Sequence, residues 1–137
     1  MRVHRFMSAG EYEKLMRGEV LVNHTDHRST KSGSIGFCFF TEPPKEAIHW
    51  LSGNVDCDYC VTMDIPEEML TQSWGHYRDP KKHDLRTIYV SETMSMTKVE
   101  WCCQTYSKKQ VKILNVSKEF AALSDMRRAL RMIGLIP

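Results

Sequence analysis

The sequence contains no apolar run approaching the roughly 20 residues that a membrane-spanning helix requires. Its opening, Met1-Arg2-Val3-His4-Arg5, leads into no apolar stretch of the signal-peptide kind. Neither sign of charge dominates. With 19 basic and 17 acidic side chains the net charge is +2, too even to argue for nucleic-acid binding from bulk electrostatics. There is no G-x-G-x-x-G and no G-x-x-x-x-G-K segment, so the glycine-rich phosphate cradles of dinucleotide-binding and P-loop folds are excluded. Internal repeats and low-complexity tracts are also absent. The five cysteines (Cys38, Cys57, Cys60, Cys102 and Cys103) are an odd number without an export signal. That argues for free thiols in a reducing compartment rather than a disulfide framework. The expectation is a soluble, cytoplasmic protein with no membrane partner.

What is present suits a globular chain. Its 137 residues fit one domain, 1–137, and are enough to bury a real core. Hydrophobic residues at 42% and charged residues at 26% are ordinary globular values, which argues against disorder. Nine methionines suit the filling of an irregular core.

The hydrophobic pattern predicts a short strand over 3–7, then a helix opened by Ser8 and Glu11 in a capping box and closed by Gly18. Val20-Leu21-Val22 reads as a brief extended piece, and 23–34 as a polar loop. Gly36 to Phe40 is a dense apolar run expected to be a buried strand. A helix with Pro43-Pro44 at its first turn follows, burying Ala47, Ile48 and Leu51. Tyr59 to Ile65 alternates as a strand, and Pro66-Glu67-Glu68 opens a short helix or turn. Residues 72–84 read as loop, and 85–91, 98–106 and 111–116 as strands. Ser117 is expected to cap a last helix with a stripe of Phe120, Leu123, Met126, Leu130 and Ile133, opposite Arg127, Arg128 and Arg131. Interspersed strands and short helices of this kind indicate an α+β fold.

Three segments together resemble the ADP-ribosyltransferase superfamily. Arg5-Phe6-Met7-Ser8, with its capped helix and Gly18-Glu19-Val20, is similar to that family's opening. Gly36-Phe37-Cys38-Phe39-Phe40-Thr41, followed by Lys45-Glu46-Ala47-Ile48-His49-Trp50, looks like its second strand and helix. Tyr59 to Pro66 resembles the strand that follows there, and Val99-Glu100-Trp101 offers the nearest counterpart of the family's late catalytic glutamate. The resemblance covers roughly residues 3–66 and, more loosely, 85–114. It implies a split mixed or antiparallel sheet with short flanking helices and a C-terminal helix. It also implies NAD as substrate, transfer of ADP-ribose to a protein or nucleic-acid acceptor, and the setting of a phage or bacterial effector or counter-defence protein.

The roles implied by the resemblance follow the chemistry. Breaking the nicotinamide–ribose bond develops positive charge on the ribose, and Glu100 would stabilise it. Arg5 would bind the pyrophosphate with its fixed fork of donors. Ser8 would sit near the nicotinamide ribose, and Phe37, Cys38, Phe39 and Trp50 would border the nicotinamide. No metal is required. The chain departs from the family at Cys38, where a stacking tyrosine often stands. A cysteine cannot stack, and Phe37 or Phe39 would serve with the register displaced by one.

Plainer explanations stand beside these. Ser8 is accounted for as a helix cap alone, Glu100 as a solvent-facing strand residue, and the phenylalanines as core. A binding protein or inhibitor on the same scaffold, of an anti-CRISPR-like kind, is the alternative function. A nuclease or phosphotransferase using His24, His27 or His76 is a third. Cys57-Asp58-Tyr59-Cys60 raises zinc, but adjacent Cys102 and Cys103 point to opposite strand faces, so one of them at most could join such a site. The arginines of the last helix, with nearby lysines, read as a solvated basic face.

Overall fold

The computed structural model describes residues 1–23, 36–50, 56–78 and 95–134, with the side chains of 49, 50, 73–78 and 95–98 outside that description. The chain runs β1 (Arg2–Met7), α1 (Ala9–Met16), β2 (Leu21–Val22), β3 (Phe37–Phe39), α2 (Pro44–Trp50), β4 (Tyr59–Asp64), a 3₁₀ turn (Glu67–Met69), β5 (Thr71–Arg78), β6 (Ser95–Cys103), β7 (Thr105–Tyr106), β8 (Lys112–Ser117) and α3 (Ala121–Met132). This is a mixed α+β architecture whose described strand pairs are all antiparallel. No helix among the described residues is long and apolar enough to cross a membrane.

Two three-stranded sheets dominate, in the orders β1-β4-β8 and β3-β6-β5, and β2 pairs with β7. Among the described residues, backbone pairing between the two larger sheets is limited to one residue pair. His4 N–H donates to the Phe40 carbonyl at 2.8 Å, and Phe40 N–H donates back to the His4 carbonyl at 3.0 Å.

Strand alternation divides the interior into two clusters. Val3 and Met7 of β1, Val61 and Met63 of β4, Phe39 of β3 and Cys103 of β6 face one side, where Leu15, Leu21 and Tyr106 cover them. Phe6, Phe40 and Cys60 face the other, packed with Ala47 and Ile48 of α2 and with Phe120 and Leu123 ahead of and on α3. Phe6 meets Phe40 tilted and Phe120 edge-on, with centroids 5.2 and 5.3 Å apart.

Several expectations are corrected. Residues 72–78 are strand, not loop, because β5 pairs along its whole length with β6, from Thr71↔Cys102 to Arg78↔Ser95. Long-range pairing overrides the local effect of Gly75 and its polar neighbours. The strand expected over 98–106 is two elements: β6 ends at Cys103 and, after Gln104, β7 turns to pair with β2. Ser117 does not cap α3. Its hydroxyl accepts from Glu119 N–H, and Phe120 stands at the N-cap position. The buried face of α3 is also rotated from the expected stripe. Ser124 and Arg127 are buried, whereas Met126 and Ile133 are exposed. Ser124 turns inward because its hydroxyl accepts from Cys57 N–H at 3.2 Å. The expected strand over 85–91 lies outside the described residues.

Gly36 precedes β3 with φ +93°, and a Cβ there would stand 2.4 Å from the Cys103 carbonyl oxygen on the neighbouring strand. Both the left-handed backbone and the close approach demand glycine. Gly36→Ala is expected to destabilise the protein by about 2 kcal/mol or more. Urea unfolding checks this, and an unchanged midpoint would contradict the packing of β3 on β6.

Candidate functional site

Arg5 is the best-connected polar side chain of β1. Its Nε and Nη2 donate to the two Glu11 carboxylate oxygens at 2.6 and 2.7 Å, and Nη1 donates to the Cys38 carbonyl at 2.9 Å. The guanidinium also lies over the rings of Phe37 and Phe39, at 5.1 and 5.8 Å from their centroids. The Tyr106 hydroxyl donates to Glu11 Oε2 at 2.7 Å. Burial works against both charges. The mutual attraction and bonds of the pair outweigh it, so Arg5 is held more firmly protonated and the Glu11 carboxyl below its usual range. Burial, with the Glu11 charge beside it, keeps the Tyr106 phenol protonated.

This network changes the reading of Ser8 and Glu11. Ser8 is the N-cap of α1, its hydroxyl accepting from Glu11 N–H at 3.2 Å. The Glu11 carboxylate turns to Arg5 and Tyr106, so the serine half of the capping box forms while the glutamate serves the interior.

Glu100 lies on the opposite side of the β3–β6 pair. Cys38 faces Cys102 in register, and Glu100 precedes Cys102 by two residues on the same strand face. Cys38 Sγ and Cys102 Sγ are 3.6 Å apart, and the Cys102 thiol points to Glu100 Oε2 at 3.9 Å. Glu100 is 2% exposed, far from the solvent-facing alternative. Burial, then the adjoining Cys38 thiol, pushes its pKa up to about 9, so the carboxyl is neutral at pH 7.

The expected site residues thus fall into groups. Arg5, Phe37 and Phe39 come together on one face of β3, and Cys38 and Glu100 on the other. Ser8 belongs to neither. It lines an open groove of about 450 Å³ with Ala9, Gly10, Asp58, Tyr59, Lys118 and Arg128. Arg128 in that groove is engaged by Asp58 and Asp125. Trp50 closes α2, and its side chain lies outside the described residues. His24 and His27 lie outside them too.

Cys57 and Cys60 are buried against the second cluster, where the Cys57 thiol donates to the Phe120 carbonyl at 3.3 Å. Burial raises both thiols, Cys60 to about 12, which describes inert packing rather than a redox pair. Sequence reasoning missed Tyr106 as a site neighbour. It stands 95 positions from the Glu11 it bonds, and no local pattern marks that pairing.

Comparison with known proteins adds no relative: no family model, no curated protein and no solved structure matches this chain.

The lowered Glu11 pKa sets a pH dependence. Its ionised form is favoured in the fold, so its contribution is complete above the unfolded value of about 4.3 and fades as pH falls through the lower folded value. Glu11→Gln is expected to flatten the acid limb of a stability–pH profile, leaving the part due to Asp58, which Arg128 also lowers. Urea midpoints from about pH 3 to pH 7 test this. An acid limb identical to the parent's would refute it.

Proposed function

We propose that this chain is an ADP-ribosyltransferase-like domain that binds NAD and moves ADP-ribose onto a protein or nucleic-acid acceptor. The observation that carries this reading is the meeting of three segments at Cys38. Its carbonyl accepts from Arg5 of the opening strand, and its thiol lies against Glu100 and Cys102 of the late strand. These are the same segments that carry the family resemblance, drawn together from distant parts of the chain. The sparse junction between β1 and β3, where backbone pairing among the described residues is limited to His4 and Phe40, further supports it.

In this reading the bond between nicotinamide and the ribose C1′ breaks, nicotinamide leaves with the bonding electrons, and an acceptor nucleophile bonds to C1′. NAD reaches Glu100 only by parting the seam around Cys38, because the carboxyl is sealed in the free chain. Opening of the seam lifts the burial that keeps Glu100 neutral, and the resulting carboxylate faces the positive charge that develops on the ribose. Phe37 and Phe39 face away from Glu100 with Arg5 against them, so Cys38 rather than the two rings borders the nicotinamide. Arg5 then acts by holding β3 in place through the Cys38 carbonyl.

A second reading is favoured by the engagement of Arg5 with Glu11 and by the neutral burial of Glu100. Here the scaffold binds a partner without turnover.

Calorimetry with NAD, followed by detection of released nicotinamide, separates the two. Glu100→Gln replaces a neutral carboxyl by a neutral amide of the same shape, so the fold is expected to persist. Under the enzyme reading it retains NAD binding and loses turnover by on the order of 100-fold or more. Undiminished turnover in Glu100→Gln would remove Glu100 from the chemistry. Absence of parent binding at about millimolar NAD, a weak-affinity bound, would replace the enzyme reading by the second.

A further inference from the structure

We propose that Cys38, Glu100 and Cys102 form a binding site for a thiophilic divalent cation of the zinc class. The three donor atoms lie within 4.8 Å of one another, two sulfurs and one carboxylate oxygen. The strand register builds the site: Cys38 and Cys102 are direct cross-strand partners, and Glu100, two residues before Cys102, lies on the same face.

The spacing fits an ion. Metal–sulfur bonds of about 2.3 Å and metal–oxygen bonds of about 2.1 Å at tetrahedral angles place two sulfurs about 3.8 Å apart and sulfur and oxygen about 3.6 Å apart. The observed separations are 3.6 Å for Cys38 Sγ to Cys102 Sγ and 3.9 Å for Cys102 Sγ to Glu100 Oε2. Both of these edges are within a few tenths of an ångström of what coordination requires, the third lies within 4.8 Å, and paired strands hold the ligands there. Two sulfurs select a soft ion over magnesium or calcium. Three protein ligands among the described residues leave the fourth tetrahedral position to water or another small ligand, the pattern of open rather than closed zinc sites.

The remaining cysteines are not among the gathered donors. Cys103 alternates to the first core cluster, and Cys57 and Cys60 pack in the second. Zinc therefore belongs at Cys38 and Cys102 rather than at the C-x-x-C segment. Binding exchanges the thiol and carboxyl protons for the ion, and those protons leave to solvent. A bound ion occupies Glu100 and withholds it from a ribose. The site goes beyond the proposed transferase and stands on its own observations, so its test uses the metal alone.

The experiment is titration of the reduced full chain with Co²⁺, followed by displacement with Zn²⁺ in competition with a chromophoric chelator. One Co²⁺ per chain is expected, with the intense absorption of tetrahedral cobalt, a thiolate-to-cobalt charge-transfer band, and loss of both on adding Zn²⁺. Cys38→Ser and Cys102→Ser are each expected to weaken Zn²⁺ binding on the order of 100-fold, about one ligand's share of a structural zinc site. Glu100→Gln, which keeps the site's shape, is expected to retain the sulfur–cobalt band with weakened affinity. Cys57→Ser is expected to bind as the parent does. Absence of a thiolate–cobalt band in the parent overturns the proposal whatever the variants do. So does binding that survives Cys38→Ser and Cys102→Ser but is lost in Cys57→Ser.

Discussion

The ion pair between Arg5 and Glu11 is the interaction on which the rest of this structure depends. Two opposite charges sit largely out of water, with side chains 18% and 14% exposed. Such a pair stabilises only when its geometry is good and its other donors and acceptors are satisfied. Both conditions are met. The contact is two-pronged, the remaining Arg5 donor takes the Cys38 carbonyl, and the Tyr106 hydroxyl serves Glu11. One network thereby ties together β1, α1, β3 and β7, elements that hydrophobic burial alone would hold less specifically. Removing either charge leaves the other buried and unpaired, so the pair acts as a condition of the fold more than as an added increment.

The second constraint is the sidedness of β3 and β6. Alternation gives Phe37, Phe39 and Cys103 to the face of the ion pair, and Cys38, Glu100 and Cys102 to the other. Cys38 is the point where the faces communicate, since its carbonyl serves Arg5 while its thiol serves the carboxyl cluster. Any chemistry of Glu100 is thus positioned by Arg5 through the backbone of β3, without contact between the two side chains. The proposed transferase and the proposed cation site draw on the same carboxyl, and occupancy by one excludes the other.

Much of the first half of the fold was legible in local pattern. β1, the Ser8 cap, Gly18, the apolar run ending in Phe40, the proline-opened α2 and the alternating β4 all carry signals within a few residues. What local pattern hid is set by distant partners. β5 contains Gly75 and polar residues that read as loop until β6 lies beside it. The break at Gln104 follows from β7 finding β2. The face of α3 was misjudged because Ser124 turns inward to Cys57 N–H, which no helical periodicity announces. At the site, residue types pointed to Arg5 and Glu100, yet not to their opposite faces. A one-residue difference in the strand register reverses every side chain, and only the pairing of β3 with β6 settles it. Glu11 was visible as a cap residue, and its larger role in neutralising Arg5 was not.

The most direct test of this account is a double-mutant cycle on Arg5→Met and Glu11→Leu, read by urea unfolding at neutral pH. If the pair is the interior condition described here, each single variant leaves an unpaired buried charge, and the double variant recovers part of the loss. The coupling should then be about 2–3 kcal/mol. Additive effects within about 0.5 kcal/mol would mean that the two residues act independently. The central role assigned to their ion pair would then be wrong.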